Sequence, residues 1–267
     1  MRTGETYVFS DAAGDAELQR LRALEAAFDA DTRRTVEAIG ISPGWRCVEV
    51  GAGAGSVATW LALSVGENGH VTAVDIDGRF LSGLARPNLD VVEADICAAD
   101  IPPGAADLVH ARFVLIHQPN PDGLFAAMVR LLRPGGWLVL EEPDFSVARS
   151  IQGDVEHRVA FDRVNRAIER MFSLRGMNHA YGTRVAELLQ VGGLEQISVS
   201  ASAPADRGGG PVARMMAMST QALAAKYLAT GLATPADIAG YAALASDPAS
   251  FAVYHGVVRG IGRKPRP

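Results

Sequence analysis

The chain has 267 residues, of which 48% are hydrophobic and 21% charged, values typical of a single globular domain with a sizeable core. Its formal net charge of -5 gives no basic footprint, which argues against a nucleic acid partner. No apolar run reaches the ~18 residues of a membrane span, the start lacks the apolar core of a signal peptide and only two cysteines occur, so we expect a cytoplasmic protein without a membrane partner.

The N-terminal region predicts two helices. Apolar residues within 18–28 recur at helical spacing and would form one buried face. A second helix is predicted over 32–39, because Gly40 is a good helix-stopping residue. We expect residues 1–44 to form a helical cap on the rest of a single domain, 1–267.

A regular alternation of strands and helices follows. The predicted strands are 46–50, 70–75, 89–93, 107–111 and 137–142, and the predicted helices are 56–65, 79–84 and 122–132. Short apolar strands separated by helices indicate a parallel sheet covered on both faces. The sequence therefore predicts an α/β core over 45–145.

The pattern changes after this core. Helices are predicted over 154–172, 182–191, 211–230 and 235–245, strands over 194–200 and 251–261, and a glycine-rich loop over 206–211. Thr183 is a possible cap of the second helix, and Thr234-Pro235 opens the last one. We interpret 146–182 as a helical lid insertion and 183–267 as the C-terminal part of the core, with a helical insertion at 211–246.

The sharpest local feature is the segment Glu-Val-Gly-Ala-Gly-Ala-Gly at 49–55, which leaves a strand and opens a helix. Its glycines allow a tight turn and close approach of a ligand, although a plain turn would also use them. In a dinucleotide fingerprint the third glycine follows the first by five residues, whereas Gly55 follows Gly51 by four. A pyrophosphate would also not favour the carboxylate of Glu49. Both observations argue against an NAD(P)-dependent oxidoreductase.

Two further strands end in acidic residues. Asp75 closes the second predicted strand, where a carboxylate can accept the hydroxyl groups of a ribose. Asp95 follows the third strand, and it could accept a hydrogen bond from the adenine amine while Ile96 packs on the ring. Alone, Asp75 could equally cap a helix, and Asp95 could be an ordinary loop residue.

In this order, the glycine segment at 49–55, Val74-Asp75, Ala94-Asp95-Ile96 and the turn at 131–138 resemble the class I S-adenosylmethionine (SAM)-dependent methyltransferases. The resemblance implies a Rossmann-like α/β fold with a seven-stranded sheet of order 3-2-1-4-5-7-6, in which strand 7 is antiparallel. It also implies SAM as cofactor and S-adenosylhomocysteine (SAH) as product. The cofactor-binding positions that it implies are Glu49, Gly51, Ala52, Gly53, Gly55, Asp75, Asp95 and Ile96, and a looser likeness at the N-terminus adds Tyr7. Ile76, next to Asp75, is a further candidate cofactor contact, and Arg112 could contact cofactor or substrate.

The acceptor side is harder to predict, because the sulfonium is intrinsically electrophilic and needs an aligned nucleophile more than a fixed base. His117 is a candidate general base, although a packing role would suit it equally. The candidate substrate contacts are His117, Glu142, Phe161, Met177, His179 and Tyr181. Met171 and Phe172 of the lid insertion and the loop 112–117, which would flank the methyl group, are further candidates. The helices that contain Met215, Met216 and Tyr227 could complete the lid or form a homodimer contact. No metal-ligand spacing is evident.

These features predict an enzyme that methylates an O, N or C nucleophile of a small, partly hydrophobic molecule. Only Lys226 and Lys264 among 25 basic residues are lysines, a bias typical of GC-rich bacterial genomes and consistent with natural-product biosynthesis. The alternative is an enzyme of the same fold that keeps SAM structurally and catalyses a cyclisation or rearrangement, since a fold does not fix a function.

Overall fold

The computed structural model describes residue 9, residues 14–84 and residues 86–267. The strands of this part, in chain order, are β1 Arg46–Val50, β2 His70–Asp75, β3 Leu89–Glu93, β4 Ala106–Arg112, β5 Leu132–Asp144, β6 Arg149–Gln152, β7 Glu195–Ser202, β8 Asp206–Arg207, β9 Phe251–Val253 and β10 Gly256–Arg263. Its helices are α1 Gly14–Ala38, α2 Ser56–Val65, α3 Pro121–Leu131, α4 Val155–Leu174, α5 Val185–Val191, α6 Pro211–Ala222, α7 Ala224–Leu228 and α8 Pro235–Ser246.

Seven strands form the main sheet in the order β3-β2-β1-β4-β5-β10-β7. β1 pairs in parallel with β2 and β4, and β10 lies antiparallel between β5 and β7. Counting only the strands of this sheet, β7 is the sixth and β10 the seventh, so the expected order 3-2-1-4-5-7-6 is confirmed. The carboxyl ends of β1 to β5 consequently meet at one edge of the sheet.

The sheet is buried between two apolar layers. On one face, α2 presents Val57, Leu61 and Val65 to the sheet, together with Ala58 and Ala62. These positions repeat every three to four residues, as one face of a helix requires. A fully buried leucine such as Leu61 stabilises the fold by about 1.5–3 kcal/mol relative to an exposed one, so this stripe fixes α2 directly behind the glycine loop.

The N-terminal helix is continuous, and the predicted break before residue 32 was wrong. α1 runs from Gly14 to Ala38. Phe28, Thr32 and Val36 are all buried and continue a single stripe at intervals of four residues. Neither glycine nor proline interrupts this stretch, so the buried face carries the helix through.

A second, smaller sheet was not predicted. β6, β9 and β8 form a three-stranded antiparallel sheet. The predicted strand 251–261 is therefore two strands, because the chain leaves this small sheet after Val253 and enters the main sheet at Gly256. β8 lies within the segment predicted as a glycine-rich loop.

Three other boundaries differ from the prediction. The helix expected at 79–84 is a single 3-10 turn, Gly78–Phe80. The helix expected at 182–191 begins as a 3-10 turn before α5, and the Thr183 hydroxyl donates to the Ala180 carbonyl instead of capping α5. The helix expected at 211–230 divides at Leu223 into α6 and α7. The predicted cap at Thr234 is confirmed as a capping box with Asp237.

Helices cover the carboxyl edge of the main sheet. α4 packs against α8, and α6 packs against both α1 and α8. Within the described part of the chain, no helix is both long and apolar enough to cross a membrane. Cys47 is buried, whereas Cys97 is exposed next to the end of β3.

Candidate functional site

A cavity of about 450 Å³ lies between the carboxyl ends of the strands and the covering helices. Its floor is formed by the ends of β1, β2, β3 and β4 and the loops that follow them. Its roof is formed by α1, α4, α6 and α7. This volume falls in the range of small-molecule and cofactor sites in proteins.

The glycine loop forms one wall of this cavity. Gly51, Gly53 and Gly55 have φ values of 70°, 57° and 85°, which residues other than glycine adopt only at a cost in conformational energy. A Cβ atom at Gly51 would collide with the Val114 side chain, and one at Gly55 would collide with Leu84. Gly51, Ala52 and Gly53 line the cavity, whereas Gly55 lies just behind it as the N-cap of α2.

Glu49 reaches the cavity from the end of β1 and is held by a buried histidine. Its Oε2 lies 2.7 Å from Nδ1 of His110 on the neighbouring strand. Burial lowers the pKa of His110, but the charge of Glu49 and the contacts with Glu141 and Glu49 outweigh burial and raise it to about 9. His110 is therefore a cation at neutral pH, and it fixes the Glu49 carboxylate at the cavity wall.

The network continues from His110 to the roof. The Thr32 hydroxyl of α1 donates to Glu141 Oε2 at 3.1 Å and accepts from Arg112 Nη1 at 2.9 Å. Arg112 also donates to Asp29 at 2.9 Å. Arg112 lines the cavity as predicted for a cofactor contact, but its guanidinium also anchors α1 onto β4.

Asp75 and Asp95 both line the cavity, next to Ile76 and Ile96. Asp75 accepts from the Gly53 N–H at 2.8 Å through Oδ2 and from the Asp77 N–H at 3.0 Å through Oδ1. Burial raises the pKa of Asp75 above its usual value, against the opposing effect of these backbone hydrogen bonds. Each carboxylate oxygen has a further lone pair with which to accept a ligand hydroxyl.

The side of the cavity away from the glycine loop is aromatic. His117 ends a 3-10 turn after β4, and its ring centroid lies 6.4 Å from those of Phe9 and Phe172. Burial, with the nearby charge of Arg20, lowers the pKa of His117 to about 3. The imidazole is therefore neutral at physiological pH, which a proton acceptor requires.

The roof carries a buried ion pair. Arg20 and Glu17 of α1 are 5% and 2% exposed, and both line the cavity. Arg20 donates to both carboxylate oxygens of Glu17, at 2.6 and 2.8 Å, and lies 3.8 Å from the centroid of the Phe9 ring. The planar guanidinium suits both contacts, so this part of the roof is charged but internally matched.

Several predicted substrate residues lie outside the cavity. Glu142 is fully buried and accepts from the N–H groups of Val114, Leu115 and Ile116 at 2.8–3.1 Å. Phe161 stacks on Tyr241, with ring centroids 5.0 Å apart. Met177, His179 and Tyr181 do not line the cavity either. Tyr7 lies outside the described residues.

Sequence reasoning found part of the aromatic wall and missed the rest. Phe145 and His255 are unpredicted members. Side chains from the loop 112–117 and from the predicted lid helices do line the cavity, namely Phe113, Phe172, Met215, Met216 and Tyr227, together with Phe9 and Arg20. These side chains come from widely separated parts of the chain, so no local spacing could show that they form one wall. Phe113 follows the end of β4 and has a φ of 58°. Nothing in the sequence indicated this backbone conformation, which sets the direction of its side chain.

The donor and acceptor groups fit SAM. The Glu49 carboxylate suits an ammonium group, the glycine backbone admits a close ligand, and the acidic ends of β2 and β3 suit hydroxyl groups and an amine. Among the described residues, no cluster of three or more His, Cys, Asp or Glu side chains could hold a metal ion.

Comparison with known proteins agrees with this geometry. Residues 48–140 match the family model described as "Methyltransferase domain". The chain is 30% identical over 131 residues to the ubiquinone/menaquinone biosynthesis C-methyltransferase UbiE of Shewanella pealeana, which covers 45% of this chain and 52% of that protein. It is 32% identical over 135 residues to the methyltransferase str3 of Strobilurus tenacellus, covering 49% of this chain and 47% of that one. The chain thus spans about half the length of the curated relatives that it matches.

The fold is shared with a solved structure, phosphoethanolamine N-methyltransferase 2 of Haemonchus contortus in complex with phosphomonomethylethanolamine and S-adenosylhomocysteine. The TM-score is 0.55 at 16% identity, over 93% of this chain and 52% of that one. The strand order, the glycine loop and the domain match at 48–140 agree with one another. Residues 48–140 are therefore a methyltransferase domain, set in a chain with the Rossmann-like fold of class I SAM-dependent methyltransferases.

Proposed function

We propose that this chain transfers the methyl group of SAM to a nucleophilic atom of a small, partly hydrophobic molecule. The observation that carries the proposal is the composition of the cavity. One wall offers the glycine loop and three carboxylates, Glu49, Asp75 and Asp95, while the opposite wall is aromatic and roofed by helices. Such a division suits a charged cofactor on one side and an apolar acceptor on the other.

The residues of the cavity would have separate roles in binding the cofactor. When bound, SAM would supply a methyl group whose carbon is electrophilic because it is bonded to a positively charged sulfur. Glu49, oriented by His110, would bind the ammonium group of the cofactor, and the backbone at Gly51 and Gly53 would admit its methionine part. Asp75 would accept the ribose hydroxyl groups, and Asp95 with Ile96 would bind the adenine. The cofactor would thus be bound at its ammonium group, its ribose and its adenine.

The roof would align the acceptor and exclude water. α1 carries Leu21 and Leu24 into the cavity and α4 carries Ile168 and Phe172. Holding two reactants in line converts an encounter in solution into an intramolecular step, and this can supply several kcal/mol of the barrier reduction. His117, neutral and on the cavity wall, would contact the acceptor.

UbiE is named as a C-methyltransferase of ubiquinone/menaquinone biosynthesis, which supports a small acceptor here. The covered cavity supports it too, because a protein or nucleic acid segment would need an open cleft. We therefore extend the proposal to an acceptor from secondary metabolism, acted on in the cytoplasm of a bacterium.

The substitution Asp75→Asn tests cofactor binding. The amide would present N–H groups toward one of the two backbone donors, Gly53 or Asp77, and would lose part of the acceptor capacity toward a ribose. Hydrogen bonds to a charged group contribute about 1.5–3 kcal/mol, so we expect SAM to bind about 10–150-fold more weakly in calorimetry. Asp90→Asn is the matched control, because Asp90 is exposed on β3 away from the cavity.

Equal SAM affinity of wild type and Asp75→Asn would refute this assignment of the cavity. Methyl transfer itself is tested by conversion of SAM to SAH in the presence of candidate acceptors. An acceptor that is rearranged while SAM stays intact would show that the fold serves another reaction.

A further inference from the structure

The acceptor wall of the cavity is a continuous row of rings. The neighbouring centroids of Phe9, His117, Phe172, Phe145, His255 and Phe113 lie 5.2–6.4 Å apart. All six residues line the cavity. Rings at these separations can present their faces and edges to a planar aromatic ligand. Such aromatic pairs gain binding energy beyond that from the apolar area that they bury. The row therefore suits an aromatic acceptor.

His255 differs from its neighbours because its protonation pattern is fixed by the backbone. Its Nδ1 lies 2.8 Å from the carbonyl oxygen of Gly256. A carbonyl oxygen only accepts, so Nδ1 carries the hydrogen and donates it. In a neutral imidazole Nε2 is then an acceptor with a lone pair. The residue sits at the crossing from β9 to β10, which brings it to the cavity wall.

The surroundings of His255 keep it neutral until a proton arrives. Its ring packs against Phe28 of α1, Phe113 after β4 and Phe145 after β5, with centroids 5.2–5.7 Å away. Burial lowers its pKa, while the Gly256 hydrogen bond and the charge of Asp144 act in the opposite direction. A transient imidazolium would therefore meet a carboxylate near by.

His117 lies near a charge of the opposite sign. Burial lowers its pKa most, and the positive charge of Arg20 lowers it further. A proton on His117 would thus be repelled by a neighbouring cation, whereas a proton on His255 would be attracted by Asp144. Of the two histidines on the wall, His255 is the better suited to hold a proton during the reaction.

We propose that the acceptor is a hydroxylated aromatic compound and that His255 is the catalytic base that takes its hydroxyl proton. This inference rests on the proposed methyl transfer. The acceptor oxygen forms the new bond to the methyl carbon as the carbon–sulfur bond breaks and leaves its electron pair on sulfur. The hydroxyl proton moves to Nε2 of His255, which later releases it to water. Charge balances, because the sulfonium charge is replaced by that of the imidazolium.

The first test measures binding, with no turnover. The probes are naphthol and its methyl ether, titrated by fluorescence into the full chain loaded with SAH. A neutral hydrogen bond contributes about 1 kcal/mol, so we expect naphthol to bind several-fold more tightly than the ether. In His255→Phe, which keeps an aromatic ring but removes the acceptor, this preference should vanish while the ether binds as in wild type.

Two further variants sharpen the result. His255→Gln keeps a hydrogen-bond acceptor but cannot take a proton, so it should retain the preference for naphthol. With SAM present, methylation of naphthol should fall about 100-fold or more in both His255 variants, as loss of a general base predicts. His179→Phe is the matched control and should behave as wild type, because His179 does not line the cavity.

The inference is overturned if wild type does not favour naphthol over the ether, if His255→Phe keeps that preference, or if His255→Gln methylates naphthol at the wild-type rate. It is also overturned if His117→Phe alone abolishes the preference. These outcomes are separate from a failure of the proposed function, which would appear as absent SAM binding in calorimetry for the wild-type chain.

Discussion

At the scale of single residues, the two buried histidines of β4 and its following turn are tuned in opposite directions by their neighbours. His110 faces the carboxylates of Glu49 and Glu141 and is held as a cation. His117 faces aromatic rings and the charge of Arg20 and is held neutral. The same side chain thus serves to orient a carboxylate in one place and to present a neutral ring in the other.

These shifts predict how stability depends on pH. The pKa of His117 in the fold, about 3, is below the ~6.5 of an unfolded histidine, so the unfolded chain binds more protons between these values and stability rises with pH there. The pKa of His110, about 9, is above the unfolded value, so its contribution is complete below pH ~6.5 and is lost as pH rises through 9.

The free energy of unfolding in urea, measured across the pH range, should therefore change on the acid side in one variant and on the alkaline side in the other. His117→Phe should flatten the rise in unfolding free energy below pH ~6.5, and His110→Gln should flatten the fall above it. His110→Gln should also lower stability overall, because Glu49 and Glu141 lose their buried cation. Unchanged slopes on both sides would contradict the burial of these two rings.

At the scale of elements, the loop after β4 is shaped by β5. Glu142 is fully buried, and its two oxygens accept three consecutive backbone N–H groups, from Val114, Leu115 and Ile116. Burial raises the pKa of Glu142 to about 7, despite the opposing effect of those N–H groups. The carboxyl group thereby fixes the turn that carries Phe113 and His117 to the cavity, without touching the cavity itself.

Glu142→Gln should loosen this turn. An amide has one acceptor oxygen and would point N–H groups at one of the backbone donors, leaving a buried N–H without a partner at a cost of about 1–3 kcal/mol. Denaturant unfolding should report that loss. Glu187→Gln is the control, because Glu187 lies on the exposed side of α5 and its replacement should change the unfolding free energy by less than about 0.5 kcal/mol.

A row of alternating charges crosses the sheet beneath α1. Glu49 on β1, His110 on β4, Glu141 on β5 and Arg259 on β10 follow one another across neighbouring strands. Thr32 joins this row to the helix above. The row could not be predicted from the sequence, because it depends on strand order and register, which bring together residues more than 200 positions apart.

At the scale of the whole molecule, the cavity joins parts that would otherwise be separate layers. Its lining comes from the sheet edge, from α1 and from the α4–α6–α7 roof. A ligand that fills it contacts all of them at once. Binding to the folded state alone should therefore stabilise the whole domain.

SAM at about 100 times its Kd should raise the free energy of unfolding by about 2.7 kcal/mol, which corresponds to roughly 5–10 °C in Tm for a domain of this size. Differential scanning fluorimetry measures the shift. Asp75→Asn at the same SAM concentration should show a clearly smaller shift, since its Kd is larger. A wild-type Tm that does not respond to SAM would contradict the cofactor assignment.

The sequence by itself determined the parallel core, the strand order implied by the resemblance and the cavity wall that carries the glycine loop and the acidic strand ends. Those features rest on local patterns: apolar strands, glycines that must turn, and acidic residues at strand ends that topology brings to one edge. Glu49, Gly51, Gly53, Asp75 and Asp95 all reached the cavity from such motifs.

Only the tertiary structure decided which side chains form the aromatic wall. Phe161 and Tyr181 looked equivalent to Phe172 and Tyr227 in the sequence, yet the first pair packs in the core and the second pair lines the cavity. The orientation of the helices determines which of these side chains reach the cavity. The crossing of the chain from the small sheet to the main sheet likewise brings His255 there. The physical reason is that a pocket is the space left between packed elements, and its lining depends on contacts between residues distant in the chain.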